Sequence, residues 1–412
     1  MTTQGTAAPA DALASRTRWR LGRRGAFWAA ASVLALVLWS SGAPSVLYPI
    51  YAEQWHLTPL TITMVFATYQ LALIIVLPLF GSLSDQFGRR LVMLAGVALI
   101  AASAILFAVA SDVSFLFIGR TLQGAGAGLA MGSATASLIE NNTSANPRFA
   151  SSMATISTAT GLTLALVLSG AVAQFAPLPL LWSYIVLLVL SVASIGALAL
   201  SPDDTPIRLQ RWRPQAPSMP RGIRLRFAIA TLSVSLAYCV GAIFLSLGAH
   251  MITQFAHTGN SALVGALLGV SAATIGLTAL FLSRVPPNVS IGIGATLTLV
   301  SLGLMAAAST AGSVILFLGW CIFGGIAYSF AFTGGLGLIN RVASPRHRGS
   351  TLSLLYLVSY ALQAGTAIGV GALATAGGLS TAVGIAALSL TALSAAVLVL
   401  MLVAARATRQ AI

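Results

Sequence analysis

The sequence predicts an all-α membrane protein whose twelve transmembrane helices form two six-helix bundles. Three observations carry that expectation: a composition too apolar for a watery surface, twelve apolar runs long enough to cross a bilayer, and basic charge confined to alternate connections. Of the 412 residues, 58% are hydrophobic and 7% are charged, with a mean hydropathy of +0.94. A soluble domain is about 25% charged, so this chain cannot cover itself with a polar surface. All 21 cationic residues are Arg, set against seven carboxylates, for a net charge of +14. A nucleic-acid binder carries such charge on a polar surface. Here the Arg lie between long apolar runs, which excludes nucleic acid as a partner and points to the lipid bilayer.

A span takes about 20 apolar residues. In chain order the runs fall at 27–50, 59–80, 91–111, 114–139, 152–174, 180–200, 227–251, 261–283, 289–309, 314–339, 351–374 and 380–404. The tail before them, 1–26, carries Arg16, Arg18, Arg20, Arg23 and Arg24. The run that follows is too long for the core of a cleavable signal peptide, so it reads as a retained first span. Arg23-Arg24 reads as the flank of that span rather than as a twin-arginine signal. Counting the tails and every second loop puts 20 Arg on one side and none on the other, with Arg120 alone inside a span. Basic flanks stay in the cytoplasm, so both termini are expected there, in a plasma or bacterial inner membrane.

The longest connection, 201–226, is rich in Pro and Arg and divides the spans six and six, giving bundles at 27–200 and 227–404 and a C-terminal tail at 405–412. An offset of 200 residues superimposes the halves: Leu116-Phe117-Ile118-Gly119 on Leu316-Phe317-Leu318-Gly319, Gly124 on Gly324, and Leu138-Ile139 on Leu338-Ile339. The fourth and tenth spans are then equivalent members of a parallel repeat, related by a pseudo-two-fold axis along the membrane normal.

Between the second and third spans lies Gly81-Ser82-Leu83-Ser84-Asp85-Gln86-Phe87-Gly88-Arg89-Arg90. Its glycines permit a tight reversal, and Asp85 and Arg89 have the spacing of an ion pair on a helical turn. The segment resembles the signature loop of the major facilitator superfamily, G-x-L-x-D-x-x-G-R-R, with every defining position present. Arg120-Thr121-Leu122-Gln123-Gly124 in the fourth span is similar to that family's R-x-x-Q-G motif. The resemblance covers nearly all residues from Phe27 onward and implies two bundles around a central cavity worked by alternating access. It also implies that Gly81, Asp85, Gly88, Arg89 and Arg90 brace the cytoplasmic start of the eleventh helix. In the expected latch Asp85 meets that helix start while Glu140 pairs with Arg89 or Arg90. Two departures stand out. The exporter stretch G-x-x-x-G-P-x-x-G-G keeps only its outer glycines, Gly161 and Gly170, and the second-half loop near Ser283-Arg284-Val285-Pro286-Pro287 is degenerate. Both weaken the antiporter reading without excluding it.

The acids decide more. Asp11, Glu53, Asp85, Asp112, Glu140, Asp203 and Asp204 all lie in tails, loops or span ends, and so do the four His. No intramembrane proton carrier is in sight. Cys239 and Cys321 lie in apolar runs without ligand spacing, so neither a disulfide nor a metal is expected, nor any cofactor. A charge inside the bilayer costs about 2.5–3.5 kcal/mol even on a lenient scale. Arg120 must therefore face the bundle interior or a wet cavity, with snorkelling to the outer interface as the alternative. The helices that line the cavity in this family offer Arg120, Gln123, Gln70, Tyr238, Trp320, Tyr328, Tyr360 and Gln363 as substrate contacts, with Tyr48, Tyr69 and Tyr356 beside them. Tyr48 and Tyr51 best fit the alternative of interfacial anchors.

These features imply a secondary transporter, not an enzyme, acting as a monomer on a small organic solute. Export of a drug-like or metabolite molecule is the first reading, with protons as an optional coupling ion. Uptake or facilitated diffusion of a neutral or anionic nutrient is the alternative. A transporter-like sensor or a membrane enzyme is remote, since no His, Cys and carboxylate cluster supports acid-base or metal chemistry.

Overall fold

Hydrocarbon offers no water to satisfy backbone N–H and C=O groups, so an apolar chain crosses it as helices or as a closed barrel. Among the described residues this chain forms helices and no strand. The computed structural model describes residues 21–80, 83–146, 148–202, 219–255, 257–344 and 347–410, without the side chains of Asp85, Arg148, Arg221, Ser283 and 407–410. Its long helices are α1 (Arg23–Gln54), α2 (Pro59–Phe80), α3 (Arg89–Ala108), α4 (Val113–Glu140), α5 (Arg148–Phe175) and α6 (Pro179–Leu200). They continue with α7 (Arg224–Phe255), α8 (Ser261–Phe281), α9 (Pro287–Ala311), α10 (Val314–Val342), α11 (Arg348–Gly377) and α12 (Leu379–Gln410). One short helix, Leu83–Phe87, sits in the signature loop.

Several helices overrun their apolar runs. α1 starts at Arg23 rather than 27 and α11 at Arg348 rather than 351, because long basic side chains reach water while their backbone stays helical. Eleven of the twelve are long and apolar enough to cross a membrane by composition alone; α4, diluted by Arg120, Gln123 and its Gly and Ser, is the exception. It is correspondingly enclosed by α1, α2 and α3.

The packing repeats. In the first half α1 packs on α4 and α5, α2 on α4, and α3 on α4 and α6; in the second, α7 packs on α10 and α11, α8 on α10, and α9 on α10 and α12. Every pairing recurs six helices later, as a parallel repeat requires. Helix ends agree in detail. His56 (φ 51°) follows α1 and His257 (φ 48°) follows α7, both left-handed. In each case the next N–H reaches back across the last turn, Leu57 to the Ala52 carbonyl (3.0 Å) and Thr258 to that of Thr253 (3.3 Å). This is the Schellman closure, normally built on Gly, and here both halves build it on His.

The halves meet along α5 with α8 and along α2 with α11. Gly170 and Gly265 touch backbone to backbone: a Cβ on Gly265 would lie 2.8 Å from the Gly170 Cα. The Ser261 N–H donates to Gln174 Oε1 (2.8 Å) on this seam, and the Leu60 N–H donates to Thr375 Oγ1 (3.0 Å) on the other. These residues all lie at the helix ends away from the arginines, so the arginine-poor end is closed. Gly265→Val would overpack this seam at a cost of about 1–3 kcal/mol, or roughly a five- to hundredfold shift in population. The expected readout is a longer spin-label distance between the α1–α2 and α7–α8 turns; an unchanged distance would show that the seam is not what closes this end.

Candidate functional site

Where the halves diverge they leave a cavity of about 280 Å³, just under the roughly 300 Å³ at which small-molecule sites begin. On α5 and α8 its lining residues fall at 155–162 and 271–279, in the parts of those helices nearer the arginine-rich end. The cavity therefore reaches from mid-depth toward that end. One wall is aromatic and comes from the second half. Tyr238 of α7 stacks with Tyr328 (6.3 Å between centroids) and Phe332 (5.8 Å) of α10 and tilts against Tyr360 of α11 (4.9 Å), while Trp320 meets Phe244 edge-on (5.4 Å). The Tyr238 hydroxyl donates to that of Tyr360 at 3.4 Å. The facing wall comes from the first half: Ser41, Tyr69, Gln70, Met131, Thr155 and Thr158. No charged side chain lines the cavity.

Six of the eight sequence-derived contacts are lining residues: Gln70, Tyr238, Trp320, Tyr328, Tyr360 and Gln363. Arg120 and Gln123 are not, because α4 turns that face inward among α1 and α2. Arg120 is fully buried, so it does not snorkel. Its Nη1 donates to the Ser41 carbonyl (3.2 Å) and to Gln123 Oε1 (3.0 Å). Its guanidinium lies over the rings of Tyr69 (5.3 Å), Phe66 (5.7 Å) and Tyr48 (5.9 Å). Three desolvated ring contacts, each worth up to about 2 kcal/mol, together with two hydrogen bonds, are enough to offset a charge costing about 2.5–3.5 kcal/mol. No carboxylate is needed. The same cage overturns the reading of Tyr48 and Tyr51 as interfacial anchors, since both are buried inside the first half, Tyr51 against Trp55.

At the arginine-rich end of the first half, Arg89 pairs with Glu140 (3.2 Å) and donates to Ser84 Oγ. Arg23 donates to the Glu140 carbonyl and Arg90 to the Ala199 carbonyl, both at 2.6 Å, capping the C-terminal ends of α4 and α6 as the helix dipole favours. The Arg89–Glu140 pair joins α3 to α4 within one half, so by itself it holds no seam between halves. It is also solvent-exposed (20% and 49%), which limits its worth to about 1 kcal/mol. Gly88 makes the expected reversal at φ 87°. Gly81 and the Asp85 side chain, the other latch elements, lie outside what the structure describes.

The Major Facilitator Superfamily model matches residues 30–357. The chain belongs to the major facilitator superfamily. Solved members with the same fold include a bacterial homolog of the human lysosomal transporter Spinster, in an inward-facing, unoccupied conformation. It has a TM-score of 0.69 and 14% identity, over 93% of this chain and 95% of that one. The nucleoside transporter NupG gives a TM-score of 0.74 and 17% identity, over 92% and 99%. Sequence relatives match only locally. The quinolone resistance protein NorA of Staphylococcus aureus is 31% identical over 83 residues, 20% of this chain and 21% of NorA. A triacylglyceride transporter of Mycolicibacterium smegmatis is 37% identical over 67 residues, 16% and 12%. The chain thus matches about a fifth or less of the length of these curated relatives.

Within this superfamily member, sequence reasoning missed Phe244 and Phe332, which carry no polar signal, and Thr155 and Thr158, whose three-residue spacing on one helical face was the available clue. Arg120 gives a separate test of its cage. Removing a buried charge that has no carboxylate partner among the described residues strands no opposite charge, and the desolvation regained offsets the two acceptors, Ser41 carbonyl and Gln123 Oε1, left without their donor. Arg120→Met should leave the thermal unfolding temperature in detergent unchanged or raised; a fall of several degrees would make the guanidinium a structural necessity.

Proposed function

We propose that this superfamily member exports a small organic solute by alternating access, and that the solute has an aromatic or other apolar part and no positive charge. The observation that carries this reading is the cavity itself, with stacked rings on one wall, hydroxyls and amides on both, and no carboxylate to hold a cation. Loading from the cytoplasm is supported by the opening toward the arginine-rich end together with the rule that basic flanks stay inside. The same rule places both termini and the 201–226 loop in the cytoplasm, between bundles at 27–200 and 227–404, in a plasma or bacterial inner membrane. Efflux is further supported by the local likeness to a quinolone resistance protein. A monomer as the working unit is supported by the cavity being lined from one chain.

Facilitated diffusion of a neutral or anionic solute is the second reading, favoured by one observation. The seven acids leave no carboxylate near mid-membrane, so a proton, the optional coupling ion, has no evident carrier among the spans. Transport assays across a panel of solutes, with and without an imposed pH gradient, separate the two readings.

Loss of a ring contact costs about 0.5–1.5 kcal/mol beyond area. Tyr238→Ala or Trp320→Ala should therefore weaken solute affinity roughly tenfold, while Tyr238→Phe, which keeps the ring, should change it less than threefold. Quaternary ammonium dyes should be poor substrates. Robust dye transport by the wild type would instead mark a cationic-drug pump.

A further inference from the structure

Arg120 is only half used by its surroundings. Nη1 is engaged, but Nε and Nη2 have no hydrogen-bond partner although the residue is fully buried. The amide Nε2 of Gln123, whose Oε1 holds the same guanidinium, is also without one. A buried donor left unpaired is expensive, and the three unmet nitrogens of Arg120 and Gln123 are all donors, with only the neutral Tyr48 hydroxyl beside them able to accept. What would satisfy them is an acceptor bearing negative charge. Nε and Nη2 form the side-on edge of a guanidinium, two parallel N–H bonds spaced for the two oxygens of one carboxylate. Phe66 and Tyr69 meet the cation with their ring faces, and the Tyr48 hydroxyl beside the guanidinium is a neutral acceptor that leaves its charge unbalanced.

The free edge lies close to the cavity. Ser41 and Tyr69 line the cavity and also hold Arg120, Ser41 through its carbonyl and Tyr69 through its ring. One layer of side chains separates the guanidinium from the solute space. That partition stands toward the closed end, since Arg120 lies seven residues, about 10 Å, from the arginine-poor start of α4.

We propose that Arg120 is the anion-recognition element of this transporter. When Tyr69 turns aside, the carboxylate of a monoanionic solute takes the Nε and Nη2 donors while the ring of the solute stays on the Tyr238–Trp320 wall. The inference rests on the aromatic cavity being the solute site. It also supplies a driving force that the missing proton carriers otherwise leave open. A monoanion leaving an inside-negative cell is driven by the membrane potential, which sustains about a fiftyfold concentration ratio per 100 mV with no coupling ion.

Everted vesicles containing the full chain, with an interior-positive potential and no pH gradient, test this with three probes that differ in charge: 1-naphthoate, 1-naphthamide and 1-naphthylmethylammonium. The expected result is uptake of naphthoate about tenfold or more above naphthamide, rising with the potential, and none of the ammonium. Arg120→Gln should bring the naphthoate-to-naphthamide ratio to about one. The wild-type ratios stand as a test even if that variant does not fold. Equal uptake of naphthoate and naphthamide, or a naphthoate preference that survives Arg120→Gln, overturns the anion site while leaving the cavity reading in place. A chloride requirement shared by both compounds also overturns it, by placing a resident inorganic ion on Arg120. Uptake of none of the three overturns the cavity reading and the anion site together.

Discussion

The architecture depends on helices coming close enough for their backbones to touch. Lipid tails are as apolar as leucine, so no hydrophobic force draws helices together inside a bilayer, and short-range packing must do it. Gly170 against Gly265 supplies that contact on one seam, and on the other Gly371 makes room for the Thr63 side chain. Because these contacts lie at one end, the helices splay toward the other, and the splay is the cavity. The degenerate exporter stretch fits this picture. Its surviving glycines are those with no room for a side chain, Gly161 against the Ala35 backbone and Gly170 against Gly265, while Ala165 and Leu166, which replace the middle of the motif, are fully buried as ordinary core.

Charge does two different jobs in this chain. At one end Arg23 and Arg90 bind helix carbonyls in the wet interface, where a single cation is cheap. Inside, Arg120 survives without a counter-charge because three ring faces and two oxygens replace its water. The halves handle the same position oppositely: offset 200 places Trp320 opposite Arg120, and both are among the largest fully buried side chains. A symmetric scaffold thus carries an asymmetric site, its rings gathered on one wall while hydroxyls and amides line both.

Spans, their pairing into halves and the signature loop were legible in the sequence because each depends on composition or spacing along the chain. Depth was legible too: Arg120 sits as far from the end of α4 as counting residues predicts. What could not be read was azimuth. In a soluble helix the apolar stripe marks the buried face, but in a membrane helix the lipid face and the core face are both apolar. Nothing in Arg120-Thr121-Leu122-Gln123 distinguishes a face toward the cavity from one toward α1 and α2. The same blindness explains Tyr48 and Tyr51, which are near a helix end and therefore resemble anchors, yet lie on the enclosed side of α1. Gln70, Gln363, Tyr238, Tyr328 and Tyr360 were found because the family resemblance names the helices that line the cavity.

The stitching of Arg23, Arg89 and Arg90 onto neighbouring helix ends has a consequence for durability. Every cation in the chain is arginine, which stays protonated at any alkalinity a cell meets, whereas a lysine would begin to surrender its charge near pH 10. The acceptors of Arg23 and Arg90 are backbone carbonyls, which do not titrate at all. The two carbonyl fastenings at this end of the molecule should therefore hold unaltered through strongly basic and acidic conditions alike.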